Sequence, residues 1–222
     1  MNPKQKKVLV LDIGGSNVKI HASHGRQTLK IPSGPKLTAR KMVADVLKAT
    51  DGWNFDVVSM GFPGPVLNNR PLREPHNLGG GWVKFDFSKA FDRPVRIMND
   101  AAMQALGGHH GGRMLFLGLG TGLGSTLVSD GIVLPLELAH LPYRKGRTYE
   151  EYLGNAGLLR LGEKKWHEHV LTVANLLKNA LIAEYVVLGG GNVRLIKKLP
   201  AGIERGANSN ALTGGQRLWH EP

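Results

Sequence analysis

Two aspartates mark the places in this chain best suited to chemistry. Asp12 ends the apolar run Val8-Leu9-Val10-Leu11 and stands just ahead of Gly14-Gly15-Ser16-Asn17-Val18-Lys19. Asp100 follows Asn99 at the end of a second apolar run, Val95–Met98, and opens an Ala-rich stretch. A carboxylate placed like Asp12 can hold Mg²⁺, directly or through water, opposite phosphate oxygens; it can equally cap its own turn. A carboxylate placed like Asp100 can take the proton of an attacking hydroxyl, which contributes roughly 10²–10⁴-fold to a rate. It can also N-cap a helix, and the two roles are compatible because ligand-gathering loops follow strand C-termini in α/β folds.

The glycine turn after Asp12 has a near copy in Leu115-Phe116-Leu117-Gly118-Leu119-Gly120-Thr121-Gly122-Leu123-Gly124-Ser125-Thr126-Leu127. Both read as strand, Gly-rich turn, strand. Such a turn reaches positive φ and aims several N–H groups at one point, which makes a cradle for phosphate. One turn of this kind is ordinary hairpin geometry. Two of them with the amide–carboxylate pair Asn99-Asp100 between point to two lobes and phosphoryl transfer, which needs a cradle, a metal and a base. Ser16, Asn17, Thr121 and Ser125 add small polar donors at the turns.

A third set of residues suits a polyol. Glu137 and His140 stand three apart in Pro135-Leu136-Glu137-Leu138-Ala139-His140-Leu141, and Asn77 lies in Pro75-His76-Asn77-Leu78-Gly79. Together they offer donors and acceptors for hydroxyl groups. On a helix, Glu-x-x-His would instead suggest metal ligation, but Pro135 and Pro142 argue against a helix there. His167 and His169, in Trp166-His167-Glu168-His169, diverge by about 200° on a helix and cannot share an ion; the segment reads as a solvated helix face.

Composition narrows the classes. The 222 residues suffice for one large domain or two lobes of roughly 100 residues. No apolar run approaches the ~20 residues of a membrane span, and the basic Met1-Asn2-Pro3-Lys4-Gln5-Lys6-Lys7 leads into a strand and not into a signal-peptide core. No cysteine is present, so disulfides and thiolate metal sites are out and the cytoplasm is the expected compartment. The formal charge of +12 attracts polyanions. The basic residues are scattered and few aromatics are interleaved to stack bases, so nucleic acid is not an expected partner.

Hydrophobic periodicity predicts strands over Val8–Ile13, Val18–Ala22 and Thr28–Pro32, a helix over Thr38–Ala49, and strands at Val57–Gly61 and Val95–Met98. A short helix from Asp100 ends near Gly107-Gly108. The order recurs with strands Met114–Leu117, Thr126–Ser129 and Ile132–Leu134, a helix Glu163–Leu181, a strand Tyr185–Leu188 and a helix Val193–Lys198. A last helix spans Ala211–Trp219. The expectation is an α/β protein of two β-β-β-α-β-α lobes, residues 1–108 and 109–222, with the last helix packing back on the first lobe.

Taken in order, these motifs resemble the ROK (repressor, ORF, kinase) sugar kinases of the actin-like ATPase superfamily, and among them the polyphosphate glucokinase type. The resemblance rests on Leu11-Asp12-Ile13-Gly14-Gly15-Ser16-Asn17-Val18-Lys19, Gly61-Phe62-Pro63-Gly64-Pro65-Val66, Pro75-His76-Asn77-Leu78 and Asn99-Asp100-Ala101-Ala102. It continues through Gly118–Ser125, Glu137-Leu138-Ala139-His140 and Val186-Val187-Leu188-Gly189-Gly190-Gly191-Asn192. It implies a duplicated actin-like (ribonuclease H-like) fold whose two lobes each hold a mixed sheet flanked by helices. It also implies phosphoryl transfer to the 6-hydroxyl of glucose or a related hexose.

By that resemblance Asp100 is the base, and Asn77, Asn99, Asp100, Glu137, His140 and Gly64 hold the sugar. Asp12 sits near Mg²⁺. Gly14, Gly15, Ser16, Asn17 and Lys19 of the first turn, with Gly120, Thr121, Gly122 and Gly124 of the second, hold the donor phosphates, and Gly190 and Gly191 form an adenosine-side turn. The Cys-rich zinc motif of many ROK proteins is missing, so no zinc site is expected. The net charge favours polyphosphate as donor, since each neutralised phosphate releases counterions, while the Gly189–Gly191 turn suits ATP. A homodimer is expected at the family level. A non-catalytic sugar- or nucleotide-binding module of the same fold is the alternative, and an actin-like ATPase without a sugar acceptor is a further one.

Overall fold

Val8, Leu9, Val10, Leu11 and Ile13 are all buried, which requires that both faces of the strand they form be covered. The computed structural model describes residues 6–23, 28–207 and 209–219; the first five residues of the basic N-terminal stretch lie outside them. The chain divides into two compact units. One runs to Met103 and takes in the segment from Ala211; the other is Gln104–Asn210.

In the first unit β1 (Val8–Ile13), β2 (Asn17–Ala22) and β3 (Thr28–Pro32) form an antiparallel meander. Helix α1 (Ala39–Ala49) follows, N-capped by the Thr38 hydroxyl. β4 (Val57–Phe62) then pairs parallel with β1. A small hairpin, β5 (Val66–Leu67) and β6 (Arg70–Pro71), turns on Asn68 and Asn69, both at positive φ. The side chain of Asn69 bonds to Val95 O and Ile97 N, along the outer strand. The short helix α2 (Phe87–Phe91) leads into β7 (Val95–Asn99), parallel to β4, and α3 spans Asp100–Gly108. The sheet order is β3-β2-β1-β4-β7. Alternation along β1 sends Leu9, Leu11 and Ile13 to a core with Met42, Val46, Trp82 and Phe87. It sends Val8 and Val10 to the opposite face, against Met103, Ala211 and Trp219.

The second unit repeats the plan. β8 (Met114–Leu119), β9 (Leu123–Ser129) and β10 (Ile132–Leu136) are antiparallel neighbours. Next come a two-stranded hairpin, β11 (Pro142–Arg144) and β12 (Arg147–Thr148), and the helices α4 (Tyr149–Leu153) and α5 (Asn155–Ala180). β13 (Tyr185–Gly189) and β14 (Ile203–Arg205) add parallel strands, giving the order β10-β9-β8-β13-β14. Trp166, Val170, Val173 and Leu177 of α5 pack on Leu115, Leu117, Val186 and Leu188. Helix α6 (Asn210–Arg217) ends the described elements.

Three expectations need correction. The long helix begins at Asn155 and not at Glu163, and it is interrupted at Gly162, whose φ of 74° no helix contains. The helix expected over Val193–Lys198 is a single 3₁₀ turn, Gly191–Leu195, after which Ile196 is extended; Pro200 biases the residue before it towards extended backbone as well. The segment Trp166–His169 is no solvated face. Trp166 is fully buried with its indole N–H on Leu153 O, and the His169 ring packs edge-on against Tyr143 and Tyr152.

Candidate active site

Because β1, β4 and β7 run parallel, their C-terminal ends share one edge of the first sheet. Asp12 pairs with Gly61, and Phe62 with Asn99. Asp12 is mostly buried and its carboxylate accepts from Lys19 Nζ at 2.8 Å, across the β1–β2 pair. No turn-capping bond of its carboxylate is seen among the described residues; Lys19, half-exposed, is the partner found.

The helix cap at this edge differs from expectation. α3 starts at Asp100, and the side chain that caps it is Asn99, whose Oδ1 accepts Ala102 N at 3.1 Å. The other end of that amide donates to Gly64 O at 3.1 Å, tying the Pro63–Pro65 turn to the helix start. One N–H and one lone pair of Asn99 remain for a ligand. Asp100, relieved of capping, accepts Ala101 N at 2.8 Å. Burial of its carboxyl, and then the charge of Asp12, push its pKa up to about 7, so near neutrality it exchanges a proton readily.

The first glycine turn is closed by Gly14 N–H donating to Asn17 O, and Ser33 braces it through Gly14 O and Ser16 O. Gly15, Ser16 and Asn17 are exposed, and among the described residues the amides of Gly15 and Ser16 donate to no protein acceptor. The Asn77 side chain lies alongside, its Cβ 3.5 Å from where a Cβ on Gly15 would stand. The first unit therefore gathers Asp12, Gly14, Gly15, Ser16, Asn17, Lys19, Gly64, Asn77, Asn99 and Asp100 along one end of its sheet.

The second unit holds the rest. In its turn Gly120 N–H donates to Gly122 O, while the carbonyls of Gly120 and Thr121 are drawn away by Asn155 N–H. Asn192 Nδ2 reaches Gly120 O, and Leu123 N–H donates to Glu150 Oε2. This leaves the amides of Thr121 and Gly122 pointing at no protein acceptor among the described residues. Gly190 lies against it: a Cβ there would come within 2.3 Å of the Leu119 carbonyl oxygen. Gly124 pairs with Gly118 in the strand beyond the turn, and Gly191 is open to solvent.

Glu137 precedes and His140 ends a 3₁₀ turn, Leu138–His140, with His140 Nε2 3.5 Å from Glu137 Oε2 and both side chains exposed. Ser125, expected as a donor at the turn, is buried and its hydroxyl is used by Leu136 O and Leu138 N. It positions the Glu137–His140 turn instead. Sequence reading missed Glu150, Asn155 and Asn192, the residues that orient the second turn. The only signal was an Asn beside a glycine in Gly154-Asn155 and Gly191-Asn192.

A mostly buried carboxylate on the same strand-to-turn segment as backbone amides without a protein acceptor fits Mg²⁺, which typically binds through one or two carboxylates plus substrate phosphates and keeps its waters. Asp12 is that carboxylate.

Comparison with known proteins gives the fold its relatives. Residues 9–135, more than half of the chain, match the model of the ROK family. The polyphosphate glucokinase of Mycobacterium leprae is 25% identical over 206 residues, spanning 82% of this chain and 62% of that protein. That of Mycobacterium tuberculosis is 26% identical over 217 residues, spanning 85% of this chain and 78% of that protein. Among solved structures, the inorganic polyphosphate/ATP-glucomannokinase of Arthrobacter sp. strain KM superposes with a TM-score of 0.80 at 21% identity. It covers 97% of this chain and 100% of that one. The fold, two mixed sheets flanked by helices, is the actin-like one of the ROK sugar kinases, and the chain belongs to the ROK family.

Proposed function

We propose that this protein is a sugar kinase that moves a phosphoryl group from polyphosphate or ATP to the 6-hydroxyl of glucose or a related hexose. The observation that carries the reading is Asp100: a desolvated carboxyl at a strand end, with a pKa of about 7 and Asp12 as its charged neighbour. A protein that only binds a sugar has no need for a base so placed.

In this reading Asp100 accepts the hydroxyl proton as the sugar oxygen bonds to phosphorus, and the bond from phosphorus to the bridging donor oxygen breaks. Asn77, Asn99, Gly64, Glu137 and His140 hold the sugar hydroxyls. The free amides of Gly15, Ser16, Thr121 and Gly122 receive phosphate oxygens, and Lys19 balances donor charge. Gly14 and Asn17 close the first turn, Gly120 and Gly124 shape the second, and Gly190 and Gly191 lie on the adenosine side when ATP is the donor. Mg²⁺ held through Asp12 would neutralise charge on the transferred group. The likeness to the mycobacterial polyphosphate glucokinases and to the Arthrobacter polyphosphate/ATP-glucomannokinase supports both donors.

A homodimer is part of the reading, supported by Ile132 and Leu134, exposed on the outer strand β10. A cytoplasmic place is supported by the absence of cysteine; among the described residues no helix is long and apolar enough to cross a membrane.

A coupled assay crossing glucose, mannose and N-acetylated hexoses with ATP and polyphosphate tests the activity. Sugar 6-phosphate from at least one pairing is expected. Sugar binding with no phosphorylation by any donor would replace the kinase with a binding module, and nucleotide hydrolysis indifferent to sugar would replace it with an ATPase.

A further inference from the structure

The hairpin β11–β12 places cations where fold stability alone does not call for them. Arg144 and Arg147 face each other as a cross-strand pair, an arrangement that destabilises a hairpin when both side chains carry the same charge. Between them Lys145 and Gly146 both adopt positive φ, a tight turn that thrusts a third cation outward. A fourth, Arg160, is held close by its own contacts. Its guanidinium lies 5.1 Å from the Tyr152 ring centre and donates to Glu151 O. Arg144 lies 5.3 Å from the Tyr143 ring, and the two tyrosine rings are 5.0 Å apart.

No carboxylate makes a direct ion pair with this cluster among the described residues, although Arg147 and Arg160 add to the Thr148 hydrogen bonds that hold Glu151 below the usual carboxylate range. All four cations are exposed, and none stands in an ion pair among the described residues. Glu151 itself is taken up by the Thr148 backbone and hydroxyl in a capping box. The cations are felt nearby: burial, then Arg144, and also Arg160, hold His169 below its usual basicity, with Glu168 opposing.

The cluster is also coupled to the second glycine turn. β12 runs directly into the five-residue helix α4, whose Glu150 accepts Leu123 N–H and whose C-terminal Gly154 abuts Thr121 O. One short rigid helix therefore separates the cations from the free amides of Thr121 and Gly122, all within the same unit.

We propose that Arg144, Lys145, Arg147 and Arg160 form a track for the distal phosphates of long-chain inorganic polyphosphate. The track rests on the reading that the second turn holds donor phosphates. It gives the chain a preference for long donors over short ones that the turn alone cannot supply. Nucleic acid is the disfavoured occupant: Tyr143 and Tyr152 are covered by the guanidiniums and by His169, so no free aromatic face is offered to a base.

The test uses Lys145→Gln/Arg147→Gln, two exposed side chains with no hydrogen bond of their own, so that folding is preserved; an unchanged melting temperature checks this. Long-chain polyphosphate, tripolyphosphate and a single-stranded oligonucleotide are titrated against wild type and variant over a range of salt. For long-chain polyphosphate the slope of log K against log salt is expected to flatten by about 1.4, roughly 0.7 for each cation removed, with binding weakened about tenfold. Tripolyphosphate binding stays within about twofold.

Equal slopes and affinities in the two proteins would overturn the track, as would a wild type that binds the oligonucleotide more tightly than polyphosphate. Because binding is read directly, a protein that phosphorylates no sugar yet shows the flattened slope would lose the kinase reading and keep the track. Phosphorylation from polyphosphate at equal KM in both proteins would do the reverse.

Discussion

Asp12 and Asp100 end two parallel strands separated by one neighbour, and the charge of the first helps keep a proton on the second. Burial is the larger cause and Asp12 the next. If Asp100 acts as base, kcat/KM rises with pH through a midpoint near 7 and levels off above it. Substituting Asp12→Asn removes the second cause and leaves the first, so the Asp100 carboxyl should titrate lower than in the wild type but still above 3.8. Carbon-13 NMR of the Asp100 carboxyl reads this without any need for turnover. A wild-type midpoint near 4 would remove the physical basis of the base assignment.

The same carboxyl predicts how stability varies with pH. The folded protein holds the Asp100 proton up to about pH 7, whereas the unfolded chain releases it near 3.8. The native state thus binds more protons between these values, and stability falls as pH rises across that window, then flattens. Asp100→Asn lacks the penalty and can keep the acceptor bond from Ala101 N–H. It should match the wild type near pH 4 and exceed it at pH 8. About 4 kcal/mol is the ceiling for a shift of roughly three pKa units. Its kcat should drop roughly 10²–10⁴-fold. A variant that is less active yet no more stable at pH 8 would show that the carboxyl is not held protonated by its surroundings.

Much of this arrangement was legible in the residues. Continuous apolar runs mark β1 and β8, both covered on two faces, partial alternation marks β2 and β9, and Gly-rich turns end the strands; the Thr38 cap and apolar spacing mark α1. The gaps have physical causes. The hairpin β5–β6 turns on Asn68-Asn69, residues that tolerate positive φ without a glycine to announce it. α4 is only five residues long, yet its capping box, Thr148 with Glu151, was in the sequence to be read. The first part of α5 was hidden because Gly162 breaks the apolar spacing. At the site, residue types located Asp12, Asn99 and Asp100 but not the division of labour, since Asn and Asp are equally good caps and only the backbone shows that Asn99 takes the role.

The third glycine turn separates two adjacent glycines by their surroundings. Gly190 sits at φ 82° and ψ 168°, a region essentially reserved for glycine, and a Cβ there would strike the Leu119 backbone. Gly191 has nothing within 4 Å of its missing Cβ. Gly190→Ala should therefore cost about 3 kcal/mol or more, combining backbone strain with overlap, or roughly 6–12 °C in Tm for a chain of this size. Gly191→Ala should stay within about 0.5 kcal/mol. If Gly191 borders the adenosine, that silent substitution raises KM for ATP and leaves KM for polyphosphate alone. Thermal melts of both variants and KM for the two donors decide the point; equal destabilisation would mean that the turn is not wedged against Leu119.

Ser59 gives the last prediction, on how the C-terminal helix is held to the first sheet. It is fully buried on β4, donates to Gly215 O and accepts from Trp219 Nε1 at 2.9 Å. The Trp219 ring carries the Arg96 guanidinium 4.4 Å from its centre. Ser59→Ala strands an indole N–H and a carbonyl together, which should cost about 2 kcal/mol. Trp219→Phe keeps an aromatic ring for Arg96 but removes the donor, so it should cost less, about 1 kcal/mol. The two share one hydrogen bond, so the double variant should fall short of the sum by about 1 kcal/mol. Urea melts of the four proteins close that cycle. Strict additivity would mean that Ser59 and Trp219 stabilise the unit separately, and that packing of Val8, Val10 and Met103 against the helix, without this polar link, holds it in place.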